Sequence, residues 1–384
     1  MKIAIVAVAY NRVTSIQRLL ASLEKACYNG DNVSLILSID KSDTDIVECF
    51  ADEYVWKYGN KIVDKHDVNF GLKQHMMSLG KWFDIFDAIV VLEDDIVVSR
   101  SFYTYVKQTV EKYHTFDGIA GISLYSFSVN YETGNPFTPQ KDENDVYFMN
   151  CAMSWGEVWM RDSWNKFYEW YKEHQDFPVI DSLPRGICMW GNKSWLKYHT
   201  RYCIEENKYF VHPYVSLTTN FSDTGEHNDG LSNAIWQVPI QNGEKEFFIL
   251  PEFGGKAIYY DGFFENKSLY EYLGYTFDEL CIDLQGEWKN RLKKHYWLTT
   301  EIRDYKIIKS YALNYRPIEL NVLNNEKGQQ IFLYDTFIEE KNSVKKNKRS
   351  FLYHYHLSNM FNFIRNYGYS NTIIDFFSAL KNKF

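Results

Sequence analysis

Val90-Val91-Leu92 runs directly into Glu93-Asp94-Asp95, and Ile96-Val97-Val98 follows. Three adjacent carboxylates at the end of an apolar stretch are costly unless a cation or a hydrogen-bond network answers them. A hard divalent ion bridging two phosphates answers them well, because it takes oxygen ligands and keeps part of its shell for substrate. The chemistry this suggests is metal-assisted transfer from a nucleotide-linked donor. A solvated acidic loop closing a hairpin is the plainer reading of such a triplet. The apolar flanks, and the motifs that precede it, weigh against that.

Asn11-Arg12 follows an apolar run and precedes a helical pattern. Backbone amides at a helix start, beside an arginine, suit a base or a phosphate, although Asn is also an ordinary turn residue. Asp40 closes a second apolar run. There it suits hydrogen bonds from the ring N–H of a pyrimidine or purine; taken alone, a turn or helix-cap aspartate is the plainer reading. Asn69-Phe70-Gly71-Leu72-Lys73 precedes another helical pattern. Gly71 lets the backbone turn closely and Lys73 can reach a phosphate; a plain turn into a surface helix would read the same way.

The elements that position these residues alternate. Residues 3–8, 33–39, 61–64 and 88–92 read as strands, and 14–24, 43–58 and 72–83 as helices, with Ile16, Leu19, Leu20 and Leu23 on one face. Such alternation predicts parallel β-α-β units with ligands at the carboxyl ends of the strands. Asn11, Asp40 and the acidic triplet all fall at those ends. From about 120 to 240 the pattern is irregular, and Trp155, Trp159, Trp164, Trp170, Trp190 and Trp195 concentrate there. Strand-like pieces at 247–250 and 331–334 follow, with helices between. A basic linker at 341–349 leads into two aromatic-rich helical segments over 350–384.

The 384 residues are enough for one large or two ordinary domains, and 45% hydrophobic with 24% charged residues is a globular balance. Aromatics reach 18%, which suits rings stacked on sugars or bases, or an AT-rich coding sequence. The net charge is −8, yet residues 341–384 hold eight Lys/Arg against one acid, so the tail carries +7 and the body −15. An acidic body argues against nucleic-acid binding, and a basic tail suggests an anionic surface. Six scattered cysteines without a CxxC pair suit reduced thiols and a cytoplasmic protein, not a zinc or disulfide framework. The opening apolar run reads as a strand, not a leader, and no run reaches the length of a membrane span.

In their order, Ala9-Tyr10-Asn11-Arg12, Asp40, Asn69 to Lys73 and Val91-Leu92-Glu93-Asp94-Asp95 resemble the GT-A fold glycosyltransferases. They are most similar to bacterial family 2 enzymes and the related N-acetylglucosaminyltransferase I group, which has the same acidic triplet. Ser154-Trp155-Gly156 resembles a Ser-Trp-Gly element of those enzymes, and the stretch from Pro213 to His227 resembles the segment that closes over the donor. The resemblance covers about residues 1–240. It implies a Rossmann-like core with a mostly parallel sheet, a nucleotide-sugar donor, and a divalent cofactor, Mn2+ or Mg2+. In that scheme Asp95 ligates the metal, with His227 as a further metal or phosphate contact. Glu93 and Asp94 touch ribose or sugar, and Ala9, Tyr10, Asn11, Arg12, Asp40, Gly71, Lys73 and Trp155 hold the donor.

One departure stands out. Inverting enzymes of this fold need a carboxylate base on the acceptor hydroxyl. In Trp190-Gly191-Asn192-Lys193-Ser194-Trp195, Asn192 occupies the corresponding place, and an amide cannot act as that base. Glu157 or Asp181 is then expected to serve, unless the mechanism retains configuration and needs no base. The expected organisation is a GT-A catalytic domain over 1–240 (1–100 nucleotide-binding), an α/β extension over 241–340 and a basic amphipathic helical tail over 341–384. Together the extension and tail make an α-rich C-terminal part. The expected partners are the donor and a glycan or lipid-linked oligosaccharide acceptor, as in surface polysaccharide synthesis. The tail would lie on the inner face of a membrane, or pack on the body or a second copy in a homo-oligomer. A non-catalytic sugar-nucleotide-binding subunit and a nucleotidyltransferase are the alternatives.

Overall fold

The computed structural model describes residues 1–221, 223, 236–286, 294–344, 353, 365 and 368. The chain divides into two compact units: Met1–Phe127, Lys141–Phe221 and Trp236–Phe264 in the first, and Ser128–Gln140, Ser222–Ile235 and Glu265–Phe384 in the second.

The first unit is built on β1 (Ile3–Ala9), β2 (Ser34–Ile39), β3 (Lys61–Lys65) and β4 (Ala88–Glu93), all parallel, in the spatial order β4-β1-β2-β3. Every residue of β1 is buried, as expected of a parallel strand covered on both faces. Its alternation sorts the core. Ile3, Ile5, Ala7 and Ala9 join one apolar cluster with Leu19, Leu20 and Leu23 of α1 (Val13–Leu23). Ala4, Val6 and Val8 join a second cluster on the opposite face. The connections return through α2 (Ile46–Glu53) and α3 (Gly71–Ser78).

Two helices are shorter than the periodicity predicts. After α2 the chain turns extended at Tyr54, and the Trp56 indole N–H donates to the Val33 carbonyl at 2.7 Å. The residues after 53 are committed instead to burying that ring. The helix after Gly71 tightens to a 3-10 turn at Leu79–Asp84, where Gly80 lies under the Trp164 indole; a Cβ there would come within 2.5 Å of its nitrogen.

The sheet continues with β6 (Ile119–Ser123), β7 (Val146–Met149), β8 (Glu157–Met160), β9 (Tyr209–Pro213) and β11 (Tyr259–Tyr260), in the full order β11-β7-β9-β6-β8-β4-β1-β2-β3. Among the described residues it is nine-stranded and mostly parallel, in a mixed α/β unit, the class that the strand–helix alternation predicts. A separate pair, β5 (Ile96–Val98) and β10 (Thr218–Asn220), runs antiparallel beside the carboxyl edge. Helices α4 (Phe102–Tyr113), α5 (Arg161–Glu173), α6 (Arg185–Met189) and α7 (Leu196–Glu205) complete this half. The Trp-rich stretch is largely core: Trp159, Trp164, Trp170 and Trp195 are buried, and Trp159 stacks on Trp164 at 4.0 Å. Residues 247–250 form no ladder; Phe248 N–H and Ile249 N–H donate to the Gln108 and Asp145 side chains.

The second unit contains β12 (Leu280–Asp283), β13 (Tyr296–Thr299), β14 (Tyr305–Tyr311) and β15 (Ile331–Glu339), in the order β12-β13-β15-β14, with short helices at Ser268–Leu273 and Leu320–Leu323. The expected strand at 331–334 is part of β15. Among the described residues no helix is long and apolar enough to cross a membrane. The helical segments expected over 350–384 lie almost wholly outside the described residues.

Candidate active site

Because β1, β2 and β4 are parallel, Ala9, Ile39 and Glu93 end at one edge of the sheet, and the residues that follow them converge there. Tyr10 and Asn11 lead out of β1 at the surface, and Arg12 turns back toward the triplet. Its guanidinium grips Asp94 with two nitrogens, Nη2 on Oδ1 and Nε on Oδ2 at 3.2 Å, and its Nη2 lies 3.5 Å from Asp95 Oδ2. Such a fork fixes orientation as well as charge. Asp94 is buried, whereas the Asp95 side chain keeps 15% of its surface open.

Asp95 is positioned from the other side by β10. The Asn220 side-chain amide donates to its Oδ1 at 3.1 Å, and Phe221 N–H donates to its carbonyl at 2.8 Å. Glu93 is partly exposed at the strand end but lies in dense protein. That desolvation, then the Asp95 and Asp94 charges, push its carboxyl pKa well above the usual range, and Arg12 opposes them. The side-chain oxygens at this edge belong to three carboxyl groups, all hard donors, of which Glu93 and Asp95 keep some exposure. That chemistry fits a divalent cation of the Mg2+ or Mn2+ type.

The end of β2 differs. Asp40 is buried and its carboxylate is filled from within: Oδ1 accepts from Lys41 N–H and Phe70 N–H, and Oδ2 from Gly71 N–H, at 2.8–3.0 Å. His66 Nδ1 approaches Oδ1 at 3.2 Å. Asp40 thus caps the start of α3, one of the two roles its position allows. Gly71 takes φ +71°, a left-handed value that favours glycine, where the chain turns into the helix. Lys73, in the first turn of α3, lies over the Tyr198 ring at 5.3 Å. His75, also on α3, contacts Ser38 Oγ at 2.8 Å.

Trp155 lies beside the triplet's support. Its ring packs edge-on against Tyr125, and its carbonyl accepts from Thr218 Oγ1 of β10 at 2.6 Å. Gly156 has φ +102°, and a Cβ there would meet Thr218 at 2.9 Å and Leu124 at 3.2 Å, so only glycine fits.

The three base candidates are not brought together. Glu157 opens β8 between β4 and β6, opposite Val91 and Ser123, and is 1% exposed. Its Oε2 accepts from the Trp159 indole, and its Oε1 has no partner. His199 Nδ1 stands 3.7 Å away, but this is no ion pair: burial raises the Glu157 pKa to about 8 and lowers that of His199 to about 3, so both are neutral at pH 7. Asp181 and Asn192 sit in exposed turns flanking α6. His227 lies outside the described residues.

Sequence reasoning singled out neither His66 nor His75, and it held Asn220 only as one member of the Pro213–His227 stretch. The β5–β10 pairing is what delivers Asn220 to Asp95. His66 was visible in principle, since it ends the third strand at the edge where the other site residues were found.

No protein-family model and no curated protein matches this chain. Among solved structures it is similar to S. aureus TarS 1–349 in complex with UDP-GlcNAc, at a TM-score of 0.40 and 13% identity over 59% of this chain and 60% of that one. It is also similar to GalNAc-T7 with UDP, GalNAc and Mn2+, at 0.39 and 15% over 56% and 42%. A third is the mannosyltransferase PcManGT from Pyrobaculum calidifontis with GDP-Man and Mn2+, at 0.33 and 11% over 56% and 57%. Each overlap spans less than two thirds of either chain.

Proposed function

We propose that this chain is a glycosyltransferase that takes a nucleotide sugar at the carboxyl edge of its parallel strands and holds a divalent metal through Asp95. The observation that carries the reading is the convergence of Arg12, Asp95 and Asn220 from three separate segments on an open, oxygen-rich edge. A divalent cation there offsets the charge that develops on the leaving nucleoside diphosphate. Arg12, oriented by buried Asp94, presents its guanidinium to phosphate oxygens. Asn220 holds the Asp95 carboxylate in place. Glu93 and the Trp155 ring face the ribose and the sugar, and Lys73 reaches toward phosphate.

The acceptor is a glycan or lipid-linked oligosaccharide, with the basic segment 341–384 near an anionic surface. If transfer inverts configuration, Asp181 is the better base. It is exposed, whereas Glu157 is enclosed and protonated at neutral pH. The kinship to the N-acetylglucosaminyltransferase I group rests on the acidic triplet alone. Thermal shift with UDP and GDP, with and without Mn2+, tests the reading, because a ligand bound only by the native state raises its melting temperature. The expected result is a metal-dependent shift that Asp95→Ala abolishes. A shift indifferent to both Mn2+ and Asp95 overturns it.

A second reading, a sugar-nucleotide-binding subunit without turnover, draws on Asn192 standing where an acid is expected. Release of nucleoside diphosphate from a nucleotide sugar in Mn2+ separates the two.

A further inference from the structure

Among the described residues the sheet ends at β3, an edge strand five residues long that pairs with β2. A buried polar cluster lies where β2, β3 and α3 meet. Asp40 follows β2, His66 follows β3, and His75 sits on α3. All three are buried, and one ligand atom from each lies within 4.8 Å of the others. The His66 and His75 rings are 4.5 Å apart at 67°, so they meet edge to face and do not stack flat.

Two further observations bear on this cluster. The Nε2 of His66 is buried and has no hydrogen-bond partner. A structure rarely leaves a buried polar atom unanswered without a reason. The other ring nitrogen of His66 stands 3.2 Å from Asp40 Oδ1. That contact brings a ring nitrogen and a carboxylate oxygen to nearly the spacing that two ligands of one ion take up, with Nε2 then the nitrogen that carries the proton. Ser38 Oγ, between His75 Nε2 and Asp64 Oδ2, supplies an outer hydrogen bond to His75, and Lys81 pairs with Asp64 beyond it.

We propose that Asp40, His66 and His75 form a second metal site, for a transition-metal cation of the Zn2+ or Co2+ type, which ties edge strand β3 and helix α3 to the sheet. Two imidazoles with one carboxylate select such a cation over Mg2+, which prefers an oxygen shell. A tetrahedral zinc shell with bonds of about 2.0–2.2 Å needs its ligands about 3.3–3.6 Å apart. The His66 Nδ1–Asp40 Oδ1 pair, at 3.2 Å, is already near that spacing, and a His75 nitrogen completes a set within 4.8 Å. The site differs in chemistry from the oxygen-only edge at Asp95, and it stands whether or not the chain transfers sugar.

The test uses the full chain, stripped of metal with a chelator and then titrated with Co2+ or Zn2+ without nucleotide. One equivalent is expected to bind, with the visible d–d bands of four-coordinate Co2+ and a raised melting temperature. His66→Gln and His75→Gln should each weaken binding by roughly tenfold or more, while Asp95→Asn leaves it unchanged. X-ray absorption on the zinc-loaded, unmutated protein is independent of whether those variants fold: scattering from two imidazoles supports the site. An oxygen-only shell, binding lost in Asp95→Asn, or binding unaffected in both histidine variants overturns it. A failure here leaves the Mn2+ and nucleotide test untouched, and the reverse holds too.

Discussion

Two strand ends of the same sheet show opposite ways to keep a carboxylate. At the end of β2, Asp40 spends its oxygens on backbone N–H groups and a histidine and is sealed in. At the end of β4, Asp95 has one amide and a flanking guanidinium and remains partly open. Glu157, on the neighbouring β8, shows a third way: enclosed with one donor, it keeps its proton. Backbone donors and enclosure keep an acid for the fold or for a buried ion, access leaves one open to a ligand from outside, and burial with few donors makes one neutral.

Breaking the open end should have the largest effect. Asp95→Ala is expected to lower transfer or donor hydrolysis by about 100- to 1000-fold, in the range of losing a principal electrostatic stabiliser, with little change in urea stability. Activity retained in this variant would remove the contrast with Asp40. Arg12→Ala should come next. It leaves buried Asp94 without its fork, so we expect a raised KM for the donor and about 1–2 kcal/mol lost in urea unfolding. An unchanged KM would mean that the arginine only holds Asp94. At the sealed end, Ser38→Ala should cost about 1 kcal/mol of stability, read from the same melts, while donor affinity stays as it was.

A last contrast is read as a pH slope. In the fold Glu157 keeps a proton up to about pH 8, whereas an ordinary glutamate releases it near 4.5. The folded state therefore binds more protons across that window. The contribution is complete below about 4.5, falls as pH rises toward about 8, and is level above. Glu157→Gln carries no such proton, so the wild type's stability relative to this variant should decline between those limits. His199, lowered to about 3, acts in the opposite sense below pH 6.5, but it is present in both proteins and cancels. Urea midpoints of the pair across the window make the measurement; a constant difference would mean that the carboxyl ionises in place.

The parallel half was legible because each strand is a short, nearly continuous apolar run and α1 repeats its leucines on one face. Helix ends were not. Trp56 and Trp164 shorten two of them by packing against groups distant in sequence. The mixed half was opaque for a related reason: β6, β7 and β9 are four or five residues long, and their pairing partners lie far away in the chain. The tryptophans there read equally as a sugar-stacking surface or as core, and only packing separated the two.

The order of residues by itself determined that three acids end one apolar run, that an arginine and an aspartate end two others, and that parallel strands carry all of them to one edge. Chain direction and hydrophobic period suffice for that, since both are local. Tertiary structure alone decided which acids stay open. That depends on how many donors reach each carboxylate from remote segments, such as Asn220 at Asp95 and Phe70 at Asp40, and on how much water the packing leaves beside it.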